Sequence, residues 1–140
     1  MEGDEVIEIG LTPNRNDAMG HWGVARDLRA GLMHGTVEGI GPMKVGELVV
    51  PQLTSLDVAL QQQASFELDV QAQEDCPHYL AVELHGVNIQ PSPDWAQKQL
   101  RAIGVQPINN GVDATNLVLH EWGHPLRAFD LDCIQGSKMV

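Results

Sequence analysis

The sequence predicts an α+β fold, and three observations carry that expectation. Phe66, Leu68 and Val70 alternate with Glu67, Asp69 and Gln71, the period of a strand with one wet face. Met19, Trp22, Ala25, Leu28 and Leu32 recur at steps of three and four, the period of a helix with one apolar face. The remaining strand and helix signals follow one another without a regular strand–helix–strand rhythm, so the class is α+β rather than a wound parallel sheet.

From the N-terminus, residues 5–11 alternate loosely through Val6, Ile7, Ile9 and Leu11 and read as a strand that ends at the turn Thr12-Pro13-Asn14. Asn16 or Asp17 can cap a helix over residues 18–33. Gly20 and Gly23 weaken that helix by about 1 kcal/mol each relative to Ala, or else admit a second backbone at close range. Residues 35–51 hold Gly35, Gly39, Gly41, Pro42, Gly46 and Pro51, a density of breakers that marks a connector with one short strand at 47–50. The chain is therefore expected to divide into a strand–turn–helix unit at 1–34, a connector at 35–64 and a second α+β unit at 65–140.

In the second unit a strand with Leu80, Val82 and Leu84 on one face follows the one at 66–71. Ser92 is then a natural N-cap, Pro93 suits the first helical position, and Asp94 faces the positive end of the dipole. Gly104 ends this helix. Asn109-Asn110-Gly111 reads as a turn, and Asp113 can cap a short helix through Leu117, Val118 and Leu119.

Composition narrows the function classes. A hydrophobic content of 43% is ordinary for a globular protein and supports a core without disulfides. Cys76 and Cys133 match no metal or redox spacing and read as reduced thiols of a cytosolic protein, with a single disulfide as the alternative. No apolar run approaches the roughly 20 residues that span a bilayer, so a cytoplasmic protein with no membrane contact is expected. The net charge of −11, from 8 basic and 19 acidic residues, argues against the chain being by itself a grip for a phosphate backbone. The acidity reads as a solubilising surface.

His120-Glu121-Trp122-Gly123-His124 matches H-E-x-x-H, in which two His on one helical face hold Zn²⁺ and the Glu activates water. That chemistry needs both imidazoles one turn apart on a continuous helix. Pro125 pushes His124 out of the α region, and Gly123 is a helix-terminating residue. The extended pattern would also need Gly at 127 and His at 130, where the chain has Arg127 and Asp130. A zinc metallopeptidase is therefore the alternative reading, and metal ligands are expected to be none.

Two separated stretches carry a more specific resemblance. Leu11-Thr12-Pro13-Asn14-Arg15-Asn16-Asp17, followed by Gly23-Val24-Ala25-Arg26-Asp27-Leu28, resembles the T-P-N-R-x-D…G-[IV]-A-R-[DE] signature of bacterial phenylalanine–tRNA ligase β subunits. Pro91-Ser92-Pro93-Asp94-Trp95 resembles the start of that family's editing module. Its continuation is matched by Leu100-Arg101-Ala102-Ile103-Gly104, by Pro107-Ile108-Asn109-Asn110 and by Val112-Asp113-Ala114-Thr115-Asn116. Gly123-His124-Pro125-Leu126-Arg127-Ala128-Phe129-Asp130 resembles the family's G-Q-P-L-H-A-F-D. Order and spacing agree over most of the chain outside residues 35–65.

The resemblance implies a segment of an α₂β₂ ligase that charges tRNA(Phe) with phenylalanine using ATP and Mg²⁺ at a site on the α subunit. No cofactor is expected in this segment. It further implies that 65–140 is the N-terminal part of a domain that hydrolyses Tyr-tRNA made in error, and that 1–34 is scaffold. Lack of the OB-fold region that precedes the first signature in the family implies an excised piece. The family's tyrosine-sensing Glu lies beyond Val140, so the pocket is expected to be incomplete and the isolated chain inactive.

Carried over residue by residue, Thr115 and Asn116 fall at the rim of the editing pocket, and Pro125 and Phe129 in its wall. Helix capping for the first pair and ordinary packing for the second remain open. The family's pocket His is Arg127 here. Arg is neither a base nor a neutral acceptor near pH 7, though it donates to a carbonyl or phosphate. His124, three residues away, is the imidazole that could substitute. Arg15 and Arg26 could contact RNA, or fix the turn by pairing with Asp17 and Asp27. A noncatalytic RNA-binding or scaffold module is the remaining alternative.

Overall fold

The computed structural model describes residues 5–50 and 64–140. Among these, 5–50 and Ile89–Ala128 form one unit, and 64–88 with Phe129–Val140 form the other. The first unit holds three helices: α1 (His21–His34), α2 (Asp94–Ala102) and α3 (Asn110–Trp122). The second holds one parallel strand pair, β1 (Glu67–Leu68) and β2 (Lys138–Met139), in register Glu67 to Lys138 and Leu68 to Met139. Helices and strands are thus segregated, as in an α+β arrangement.

In the first unit α3 is the central element, with α1 and α2 each packed against it. Ala18, Ala96 and Leu100 are buried. Met19 and Leu28, expected on the apolar face of the first helix, are exposed, while Trp22, Ala25 and Leu32 are half-buried. The helix itself begins later than expected, with Gly20 as its N-cap. Asn16–Ala18 winds instead as a separate 3₁₀ turn. Asp17 is unavailable as a cap because its carboxylate is held by two guanidinium groups. Arg15 Nε donates to it at 2.9 Å, and Arg26 Nη2 pairs with it as well. Arg15 also pairs with Asp27, and Arg26 Nε lies 3.5 Å from Asp27. The two arginines of the first signature are therefore engaged in fixing the turn against α1.

Gly20 and Gly23 do admit another backbone. A Cβ on Gly20 would strike Gly123 N, Trp122 C and Glu121 O, all at the end of α3, and one on Gly23 would strike Asp17 O. Gly123 itself caps α3 in the left-handed region, at φ 72°. Above this contact Trp22 and Trp122 stack, with ring centroids 5.4 Å apart and planes inclined by 27°.

The stretch expected as a connector stays with the helix that precedes it as far as residue 50. Met43 N donates to Leu32 O at 3.0 Å, and Arg29 Nε donates to Gly46 O at 2.8 Å. The contact units therefore cut across the linear division into 1–34, 35–64 and 65–140, because α1 pairs with a helix from the far end of the chain. The expected strand at 47–50 is not formed, nor are those at 5–11 and 80–84. A strand is stable only where its amides find a ladder. Among the described residues the only ladder is β1–β2, extended by Asp69 N donating to Met139 O at 2.9 Å. Leu80, expected on a packed face, is 80% exposed. The part of the connector at 51–63 lies outside the described residues.

α2 is capped by Pro93 rather than Ser92. α3 is capped by Asn109, whose side chain accepts from Val112 N at 3.0 Å, rather than by Asp113. Both displaced residues are buried and bonded to each other. Cys76 and Cys133 are free thiols. Among the described residues no helix is long and apolar enough to cross a membrane.

Two outcomes follow for stability. Gly20→Ala is expected to destabilise the protein by about 2–3 kcal/mol in chemical denaturation, since backbone rather than a yielding side chain meets the new methyl. Asp17 has its carboxyl drawn down from 3.8 to about 2, first by the hydrogen bond from Arg15 and then by the charges of Arg15 and Arg26. A depressed carboxylate stabilises the folded state above its unfolded value, and that contribution is lost as pH falls from 3.8 towards about 2. The melting temperature should drop through this window, and Asp17→Asn should flatten that part of the profile.

Candidate functional site

The candidate residues lie along α3 and in the chain that leaves it. Thr115 and Asn116 are in the interior of α3 and half-buried, so neither caps that helix. Thr115 Oγ1 donates to Val112 O at 2.7 Å, the back-bond that Thr makes within a helix. With its proton committed, this hydroxyl offers only lone pairs to a ligand. Asn116 makes no side-chain hydrogen bond to the described residues, so its amide keeps both donor and acceptor capacity. Along the helix axis Asn116 stands about 9 Å before Trp122.

α3 ends at Trp122, and Gly123 N donates to Leu119 O at 2.8 Å in a left-handed cap. His124, Pro125 and Arg127 follow in irregular chain and are exposed. His120 is in the last turn of α3, whereas His124 lies past the cap. The pair is therefore not presented one turn apart on a helix, the geometry the zinc pattern requires. Among the described residues no group of three or more His, Cys, Asp or Glu side chains converges on a metal position.

Five of the six candidates, Thr115, Asn116, His124, Pro125 and Arg127, belong to the first unit. Phe129 belongs to the second and is 60% exposed. The residues that sequence reading placed differently are Ser92 and Asp113, taken as separate helix caps and found as a buried pair with Oγ to Oδ2 at 2.5 Å. A signal was present. Asn109 already supplies the oxygen for the first turn of α3, which leaves the carboxylate four residues later free for another partner.

Comparison with known proteins bears on the whole chain. The B3/4 domain family matches residues 75–140. The phenylalanine–tRNA ligase beta subunit of Bacteroides thetaiotaomicron is 41% identical over 140 residues, all of this chain and 16% of the relative. Those of Porphyromonas gingivalis and Geobacter metallireducens are 41% and 42% identical over 139 and 137 residues, 99% and 98% of this chain and 16% of each relative. Over essentially its whole length the chain is similar to phenylalanine–tRNA ligase β subunits. It spans about 16% of the length of the curated relatives it matches. The family match at 75–140 contains all of α2 and α3 and every candidate residue, whereas α1 and its ion pairs precede it.

Titration with Zn²⁺ is expected to give no stoichiometric site that His120→Ala removes. A one-equivalent site of that kind, read by calorimetry, would restore the metallopeptidase reading.

Proposed function

We propose that this segment contributes part of the site at which a phenylalanine–tRNA ligase hydrolyses Tyr-tRNA charged in error, with 65–140 as the beginning of that editing domain. The observation that carries the reading is the B3/4 match over residues 75–140 within a chain aligned throughout to ligase β subunits. The need for such a site is physical. A hydrophobic pocket rejects an isostere bearing one added hydroxyl by only about 10²-fold, so a second site must select for that hydroxyl.

In the hydrolysis, water adds to the ester carbonyl and the bond to the ribose oxygen breaks, releasing tyrosine and intact tRNA. Asn116 is suited to bind the ester or the terminal ribose through both faces of its amide. Thr115 is suited to accept from a ribose hydroxyl. Arg127 supplies donors to the carbonyl oxygen or a phosphate and is unfit to serve as a base. Pro125 supplies apolar wall. His124 is the imidazole available near the position the family gives to His. ATP and Mg²⁺ would serve aminoacylation on the α subunit of an α₂β₂ assembly, and no step here runs through them. tRNA(Phe) is the RNA partner, held mainly by surfaces other than this acidic one, in the cytoplasm.

Deacylation of Tyr-tRNA by the full ligase tests this. Asn116→Ala should lower the rate about tenfold, the loss of a hydrogen bond worth about 1.4 kcal/mol, with Phe-tRNA formation unchanged. Arg127→Ala should also slow it. If neither variant changes deacylation, the pocket assignment is wrong.

A further inference from the structure

Asp113 is the buried carboxylate of the described residues, 1% exposed, and both of its oxygens accept hydrogen bonds. Ser92 Oγ donates to Oδ2 at 2.5 Å and Ile108 N donates to Oδ1 at 2.9 Å. One side chain thereby ties together the approach to α2, the loop that enters α3 and the first turn of α3. The approach is itself zipped to the helix: Asn110 N donates to Gln90 O at 2.9 Å, and Gln90 N to Asn110 Oδ1 at 3.2 Å. Gln97 Nε2 closes the cluster on Ser92 O at 2.6 Å. Because Asn109 already caps α3, Asp113 is not required for capping.

A buried carboxylate is a poor way to gain stability alone, since apolar packing of similar volume does as well. What directional hydrogen bonds add is a defined rotation and height of the helix. Asn116 lies one turn beyond Asp113 on the same side of α3. We propose that Asp113 is a positioning residue for the editing reaction, setting α3 so that Asn116 and Thr115 meet the ester. This rests on the editing reading above. Removal of the carboxylate orphans the Ser92 hydroxyl and the Ile108 amide and frees the first turn of α3 to shift.

The test is Tyr-tRNA deacylation by the full ligase, with kcat and KM separated and melting temperature recorded. Asp113→Ala should lower kcat about tenfold to a hundredfold with little change in KM, as a displacement of about 1 Å does. Asp113→Asn should retain kcat within about threefold, because its amide can accept from Ile108 N and donate to Ser92 Oγ. Wild-type deacylation by Asp113→Ala, or equal loss in the Ala and Asn variants, would overturn the positioning role. Should Asp113→Ala not fold, Ser92→Ala decides: a loss in kcat of about threefold or more supports the role, and a wild-type rate sinks it. A wild-type ligase that does not deacylate Tyr-tRNA removes the editing reading and this inference together. Impaired Asn116→Ala beside unimpaired Asp113→Ala removes the inference alone.

Discussion

Two backbones meet where α1 begins and α3 ends, and the layout of the first unit depends on that meeting. Gly20 and Gly123 leave no room for a Cβ between them, so the helices approach closely enough for Trp22 to stack on Trp122. The left-handed turn at Gly123 then redirects the chain into the segment bearing His124, Pro125 and Arg127. The same glycine thus ends the helix, accepts the neighbour and sets the course of the candidate site. A side chain at Gly20 would separate α1 from α3 and change where that segment starts.

Apolar burial in this unit is modest, with Ala18, Ala96 and Leu100 as its buried apolar residues. Polar contacts accordingly do much of the specifying. The Arg15–Asp17–Arg26–Asp27 group is exposed, so each pair is weak. Its effect is geometric, because it holds a 3₁₀ turn across the start of α1. The Ser92–Asp113 bond is buried, where an unpaired partner is costly, and so it specifies more strongly. α3 is fixed at its N-terminus by this carboxylate and at its C-terminus by glycine contact.

Local rules read from sequence located the three helices but not all of their ends: α1 starts at His21 rather than at 18, and Asn110 and Gly111, expected in a turn, open α3. The stop at Gly123 follows from Gly before His-Pro, and by itself it excludes the helical zinc geometry. The close approach at Gly20 and Gly23 was legible as an alternative to simple helix weakening. Cap identities were not. Asp17, Ser92 and Asp113 are all residue types that cap helices, yet each is claimed by another side chain: Asp17 by Arg15 and Arg26, and Ser92 and Asp113 by each other. Strands failed for a related reason. Alternation at 5–11 and 80–84 describes a face, but a strand also needs a ladder partner, and period-two patterning carries no information about where that partner is. The candidate pocket was legible only through family resemblance, since Thr, Asn, Pro and Arg on a helix and its exit carry no chemical signature of their own.

If Arg127 stands where the resemblance places a pocket His, it constrains how the proposed hydrolysis would run. A guanidinium stays protonated through the physiological range and cannot take a proton from the attacking water. It can hold a developing oxyanion, which is often the larger contribution to ester cleavage. An aminoacyl ester is already activated relative to an amide, so orientation and charge stabilisation can suffice without a side-chain base. On that chemistry the demands fall on placement: the amide of Asn116 must meet the substrate in a fixed orientation, and the helix that carries it must not rotate. On this proposal Asp113 and Gly123, at the two ends of α3, would meet those demands without touching the substrate.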